Sequence, residues 1–271
     1  RKHWTNVIFK FWLAERSIEH SKILCVAHGG GYGLKMESMN FEDDISDIKA
    51  NWYMPYHKKH IKVPAINLRE FKRNKNKKYI TLVCFENPIY PNRIESTPIS
   101  GQSLYILDHI DLFFNNLADK CKDQFLIKPY SDEGWATRDI LKKSYGNKIV
   151  IKDKDYKKYF KNTKLLVTTY PETTFCEGMF DGPTILIYKP ELWEIRDEFN
   201  IVHKKLLKCN IIFLDPIKAA NHVNKNFQEL DKWWNDKKTM EARDLFKNYI
   251  ADSSKNSIYK WKNIIKNQLA D

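Results

Sequence analysis

Residues 164–188, KLLVTTYPETTFCEGMFDGPTILIY, restrict the fold more than any other stretch of this chain. They read as a buried strand, a small polar loop, a short helix, a Gly-Pro turn and a second strand. Thr173 and Thr174 stand where the helix begins. A helix N-terminus carries unpaired backbone N–H groups and the positive end of its dipole, so two hydroxyls beside it make a ready anion site. In a parallel α/β sheet this loop lies at the carboxyl end of a strand, where such folds hold ligands. The segment predicts a domain that takes a phosphate-bearing ligand, above all a nucleotide. The competing reading is a helix cap that needs no ligand.

The same alternation runs along the chain. Residues 6–20 have helical spacing, and residues 22–27 read as a buried strand that ends in His28-Gly29-Gly30-Gly31-Tyr32-Gly33, a loop whose sharp bend calls for glycine. An acidic group follows (Glu42, Asp43, Asp44, Asp47), and residues 50–53 suggest a short strand. Residues 58–78 are charged and lose their apolar periodicity, which marks a linker. Strands are then expected at 79–85, 125–128, 149–151, 165–168, 185–188 and 211–213, with helices at 103–118, 155–161, 216–234 and, with a break near Ser253, 240–271. Strands alternating with helices predict an α/β fold with a parallel sheet covered on both faces.

Three loops carry chemistry. His28, at a strand end beside bare backbone, suits acid/base work or a hydrogen bond to phosphate. The glycines lack both GxGxxG spacing and the Lys-Ser/Thr of a P-loop. Lys128-Pro129-Tyr130 puts a cation at another strand end, and Tyr130 or Trp135 offers a face for a base or sugar. Glu172-Thr173-Thr174-Phe175-Cys176-Glu177 opens the helix already described, with Glu177 available to a ribose diol or a loop amide. Among the acidic residues, Asp43 and Asp44 are base candidates; a solvated acidic face is the plainer reading.

Composition narrows the classes. The 271 residues carry a net charge of +12, with 38 Lys against eight Arg scattered among Asn and Ile. That balance favours anionic ligands or an anionic membrane surface. Zinc-finger spacing, Gly-aromatic RNA motifs and basic heptads are all missing, which argues against nucleic acid. The five cysteines lie far apart without a CxxC pair, as free thiols in a reducing, cytoplasmic compartment would. Zinc-ligand spacing is also missing, so no metal is expected. No apolar run reaches the roughly 18 residues of a membrane span.

In order, strand-HGGGYG, Pro-Ala-Ile-Asn, Lys-Pro-Tyr, TYPETTFCEGM, GPTILIY, PELWEIR and DKWWN resemble a bacterial transferase family of surface-carbohydrate biosynthesis, over residues 12–261. The resemblance implies a GT-B glycosyltransferase arrangement: residues 1–70 as the tail of an N-terminal, acceptor-side Rossmann-like domain that is otherwise missing, 79–236 as the nucleotide-sugar domain, and 240–271 as a C-terminal helix returning to the first. The chain is also distantly similar to GT-B enzymes that use CMP-sialic acid or CMP-Kdo, and to teichoic-acid glycerophosphotransferases. Those enzymes carry a basic-residue/Pro loop and a Ser/Thr pair that hold donor phosphate, where Lys128-Pro129 and Thr173-Thr174 stand here. The teichoic-acid enzymes also have a His-Gly loop like His28-Gly29. That similarity favours a CMP-linked donor; Lys128 departs from the His of the related motif, which leaves UDP and GDP open as alternatives. The implied activity is transfer of a sugar from a nucleotide donor to a glycan or lipid-linked acceptor, without cofactor or metal, in the cytoplasm or at the inner membrane. A glycerophosphotransferase, a sugar-nucleotide epimerase and a non-catalytic binding fragment are the alternatives.

Overall fold

The structure is a computed structural model, and it describes residues 6–27, 29–65, 73–74, 77–86, 88–90, 98–130, 134–147, 149–150, 156–252 and 257–269. Among the described residues, eight strands form two all-parallel sheets. The first joins β1 (Leu24–Val26), β2 (Ile48–Asn51) and β3 (His60–Lys62) in that order. The second joins β4 (Tyr79–Val83), β5 (Phe125–Lys128), β6 (Thr163–Thr168), β7 (Thr184–Ile187) and β8 (Ile212–Phe213) in the order β5-β4-β6-β7-β8. The helices are α1 (Val7–Ile18), α2 (Glu37–Ile45), α3 (Leu104–Asn115), α4 (Asp119–Lys122), α5 (Thr137–Tyr145), α6 (Tyr156–Lys161), α7 (Thr173–Asp181), α8 (Asn200–Lys208), α9 (Pro216–Asn226), α10 (Leu230–Trp234), α11 (Lys237–Tyr249) and α12 (Ser257–Leu269). The α/β class with Rossmann-like parallel sheets is thus the observed one. Among the described residues no helix is long and apolar enough to cross a membrane.

The central strands of the second sheet are covered on both faces, so their sequences are continuously apolar. Leu165, Leu166 and Val167 of β6 and Ile185, Leu186 and Ile187 of β7 are all buried. Thr81 of β4 and Thr163 of β6 are satisfied hydroxyl to hydroxyl at 2.7 Å. Helix α7 lies against this sheet at Gly178, where a Cβ would stand 2.5 Å from Leu166 Cδ2 and 2.7 Å from Thr184 Oγ1. Helix α9 starts where Asp215 accepts the Ile217 N–H and Pro216 fills the first turn, whose N–H has no helical partner.

Three expectations change. The charged stretch from residue 58 contains β3, which is too short to show an alternation and is held by parallel pairing of Lys49, Ala50 and Asn51 with His60, Ile61 and Lys62. Around residue 150 only an isolated bridge, Ile127 to Val150, forms in place of a strand, and residue 151 lies outside the described residues. The helix expected over 216–234 divides into α9, a 3-10 turn at Phe227–Glu229 and α10.

Among the described residues, backbone hydrogen bonds tie the part of the chain that carries the first sheet to segments that follow the second. Leu34 and Ile195 form an antiparallel bridge, flanked by Lys35 N–H to Glu194 O (2.8 Å) and Arg196 N–H to Gly33 O (2.9 Å). Helix α11 packs by Phe246 into the core of the second sheet, and the chain just beyond it turns to the first: Met54 N–H donates to Tyr249 O (2.6 Å) and Asp252 N–H to Trp52 O (2.8 Å).

Candidate functional site

Strand β5 follows β4 on one side and β6 lies on the other, so successive connections diverge at β4. The carboxyl ends of β4 and β6 therefore flank the crevice in which open parallel sheets hold ligands. Val83 at the end of β4 is in register with both Lys128 and Thr168. Lys128 and Thr168 are thus two strand spacings apart, roughly 10 Å.

The glycine loop of the first sheet is seated on this edge of the second. Gly30 N–H donates to Thr173 Oγ1 at 3.0 Å, across 143 residues of sequence. A Cβ on Gly30 would lie 2.7 Å from Thr173 N and 2.8 Å from both Cys176 Sγ and the Glu172 carbonyl carbon; on Gly29 it would lie 3.3 Å from Thr173 Oγ1. Neither residue has a positive φ. Glycine is required here for close approach of two backbones, not for the sharp bend expected from sequence. Gly31 sits over the Glu172 side chain with room for a methyl. His28 lies outside the described residues, as does the side chain of Tyr32.

The opening of α7 differs in detail from a simple cap. Glu172 occupies the N-cap position without a side-chain capping bond, and Thr173 is the first helical residue. The Thr173 hydroxyl receives Gly30, and the Thr174 hydroxyl pairs with Tyr170 OH at 2.9 Å. Phe175 is buried and packs edge-on to Phe246 at 5.5 Å, so it belongs to the core under the loop and not to the crevice surface. Cys176 is also buried, and desolvation pushes its thiol well above the ordinary range, which makes it inert as a nucleophile. Glu177 is half-buried one turn into the helix.

Across the crevice, Lys128 is half-buried and its Nζ donates to the Pro129 carbonyl at 2.6 Å. Tyr130 is exposed beside it, and Trp135 is half-buried. Sequence reading missed the residue that organises this wall. Phe85, just past β4, has its ring 5.8 Å from Tyr130, 5.2 Å from Tyr170 and 5.6 Å from Trp193, so it ties together aromatics from four loops. Its position immediately after an apolar strand was the available signal.

Asp43 and Asp44 separate. Asp44 is exposed near the end of α2. Asp43 is buried against the first sheet: its Oδ1 meets Lys49 Nζ at 2.7 Å and His60 Nε2 at 2.7 Å, and Tyr56 OH donates to its Oδ2 at 3.4 Å. Burial works against its charge, but the hydrogen bonds from His60 and Lys49 outweigh it and hold the carboxyl at about 2. Glu42 completes the cluster, 3.3 Å from the fully buried Lys49. This geometry suits a fixed ion cluster under α2. A second unforeseen residue, Arg196, joins it to the glycine loop. Its Nε donates to Leu34 O (3.0 Å), its Nη2 to Asn40 Oδ1 (2.6 Å), and its guanidinium lies 4.4 Å from the Tyr56 ring centroid.

A family profile described as "LIC12162 family transferase" matches residues 1–265. No curated protein sequence matches the chain. Among solved structures, the chain is similar to the wall teichoic acid polymerase TagF at 15% identity, covering 93% of this chain and 70% of that one, with a TM-score of 0.47. The H548A variant of the same polymerase aligns at 14% identity over 93% and 70% of the two chains, TM-score 0.45. The H444N variant soaked with CDPG aligns at 14% identity over 87% and 61%, TM-score 0.43. At these values the likeness is one of general outline.

Proposed function

We propose that this chain, which belongs to the LIC12162 family of transferases, moves a glycosyl group from a nucleotide-activated sugar to a bacterial surface-glycan acceptor. The observation that carries the reading is the seat of Gly30 on Thr173, where bare backbone from one parallel sheet meets a helix N-terminus at the switch-point crevice of the other. In this reading Lys128, the Thr174 hydroxyl and the first turn of α7 hold the donor phosphates, and the helix dipole adds to them. Thr173, which accepts from Gly30, positions the loop and keeps its own proton to donate. Tyr130, backed by Phe85, stacks on the base, and Glu177 contacts the nucleoside.

Charge that develops on the leaving phosphate is met by groups already in place, which lowers the barrier without reorganisation. His28 and the glycines close over the reacting centre from the first sheet. Asp44 is the base candidate, because both oxygens of Asp43 are engaged within the ion cluster. A CMP-linked donor is favoured, with UDP and GDP next, and no resident cofactor takes part.

A thermal-shift series with CMP, UDP and GDP, followed by assay of nucleotide release from the matching sugar nucleotides, tests this. One nucleotide is expected to raise the midpoint; at ~100 times its dissociation constant the gain is about 2.7 kcal/mol. Lys128→Ala should keep its own midpoint and lose the shift. Gly30→Ala should lose the shift through displacement of the loop. Absence of any shift, or a shift intact in Lys128→Ala, removes the proposal. A glycerol phosphate product instead of a glycoside replaces it with glycerophosphotransfer.

A further inference from the structure

The carboxyl edge of the first sheet holds a cavity of about 70 Å³. All three strands reach it: Val26 ends β1, Ala50 and Trp52 lie at the end of β2, and Val63 follows β3. This is the edge at which parallel sheets hold ligands. It is also the edge from which the glycine loop departs, because Ala27, a lining residue, stands one position before His28. Helix α12 adds Trp261 to the wall, and its indole N–H donates to the Pro64 carbonyl at 3.1 Å.

Burial divides the lining into a floor and a mouth. Ala50, Trp52 and Val63 are at most 3% exposed, whereas Val26 is 41% exposed and Ala27 and Trp261 are half-buried. The indole N–H of Trp52 is shielded from solvent and meets no acceptor among the described residues. A buried donor left unpaired is costly, so a ligand that brings it an acceptor is favoured.

The walls narrow the ligand further. No charged side chain lines the cavity, so a carboxylate or phosphate would enter it uncompensated. A buried water needs roughly 10–15 Å³ and two to four polar partners, and a single indole N–H among aliphatic walls supplies too few. By the same measure about 70 Å³ takes a group of roughly five heavy atoms, which is less than a sugar ring. A bare methyl group would fit and leave the N–H unpaired. An acetamido arm brings a methyl for the aliphatic walls and a carbonyl oxygen for the indole.

We propose that this cavity receives the acetamido group of an N-acetylated sugar, with the Trp52 indole donating to its carbonyl. That the sugar belongs to the acceptor rests on the transferase reading; the binding itself does not.

Saturation-transfer NMR on the full chain with methyl N-acetylglucosaminide, against methyl glucoside, tests it. The acetyl methyl is expected to be the most strongly saturated group, and the glucoside to give no signal. Trp52→Phe keeps an aromatic ring and removes the donor, so binding should weaken roughly 2- to 10-fold, the worth of one hydrogen bond. A Trp52 that served packing alone would leave the sugar signal unchanged. Ala50→Leu fills the cavity and should abolish the signal; if it also unfolds the sheet by circular dichroism, Trp52→Phe decides. Lys128→Ala should bind the sugar as the parent does. No signal from the acetyl methyl, equal signals from the two sugars, or a signal undiminished in Trp52→Phe overturns the proposal. An acetyl signal without any nucleotide shift removes the transferase reading and keeps the cavity as a sugar site. A nucleotide shift without an acetyl signal strikes this inference alone.

Discussion

In the five-stranded sheet the strands β6 and β7 are buried except at Lys164, and helices lie directly on them, one so closely that it crosses at a glycine. In the three-stranded sheet Leu24 and Val26 of β1 remain partly in water, while Lys49, Glu42, Asp43 and His60 are withdrawn from it. One sheet is held by apolar packing, which is non-directional and tolerates redistribution. The other is held by a cluster of charges whose stability depends on every member keeping its partner. The two should therefore fail under different insults.

The largest separation is expected from Lys49→Met. It leaves Glu42 and Asp43 buried without their cation, a loss of about 3–5 kcal/mol, seen as early loss of amide protection in residues 48–62 with the five-stranded sheet intact. A loss under 1 kcal/mol would mean the cluster is not what holds the first sheet. Leu166→Ala is the apolar counterpart: it opens a cavity in the middle of β6, costs about 2–5 kcal/mol, and should lower the urea midpoint of the second sheet while sparing the first. Equal losses in both regions would erase the distinction. Gly178→Ala should cost about 1–3 kcal/mol by overpacking α7 against Leu166 and Thr184, and the smaller Leu166→Val beside it should restore part of that loss.

Acid separates the regions by the order in which they weaken. His222 packs against Trp233 in the second half, and burial, with Lys225 adding to it, lowers its pKa to about 4. The unfolded chain binds a proton there that the folded one refuses. That stability is complete above about pH 6.5 and falls as pH drops towards 4. Asp43 is depressed to about 2, so its contribution holds above about pH 4 and is lost only below that. Urea midpoints followed region by region at pH 7, 5 and 3.5 should weaken the second half first. His222→Leu should remove the first step alone.

The α/β class and most strand positions were open to sequence reading because each rests on local pattern. Alternating apolar runs announce strands, and glycines and threonines at their ends announce loops. What escaped was set by contacts between distant residues. Strand β3 has three residues and no pattern of its own, only a partner. Lys49 looks like one more lysine until its strand turns it under α2. Arg196 sits inside a motif noticed for its pattern, yet its work is done 156 residues away at Asn40. The loop glycines were singled out for the bend, yet at Gly30 the residue is needed for its closeness to Thr173 and Glu172.

The separation of 143 residues between Gly30 and Thr173 also has a consequence in time. During synthesis the first sheet and its glycine loop leave the ribosome well before α7 does. Contacts this distant in sequence form late, after the loop-closure entropy between them has been met. The crevice is then among the last features to mature, and a chain arrested before α7 would display the glycine loop with nothing to sit on.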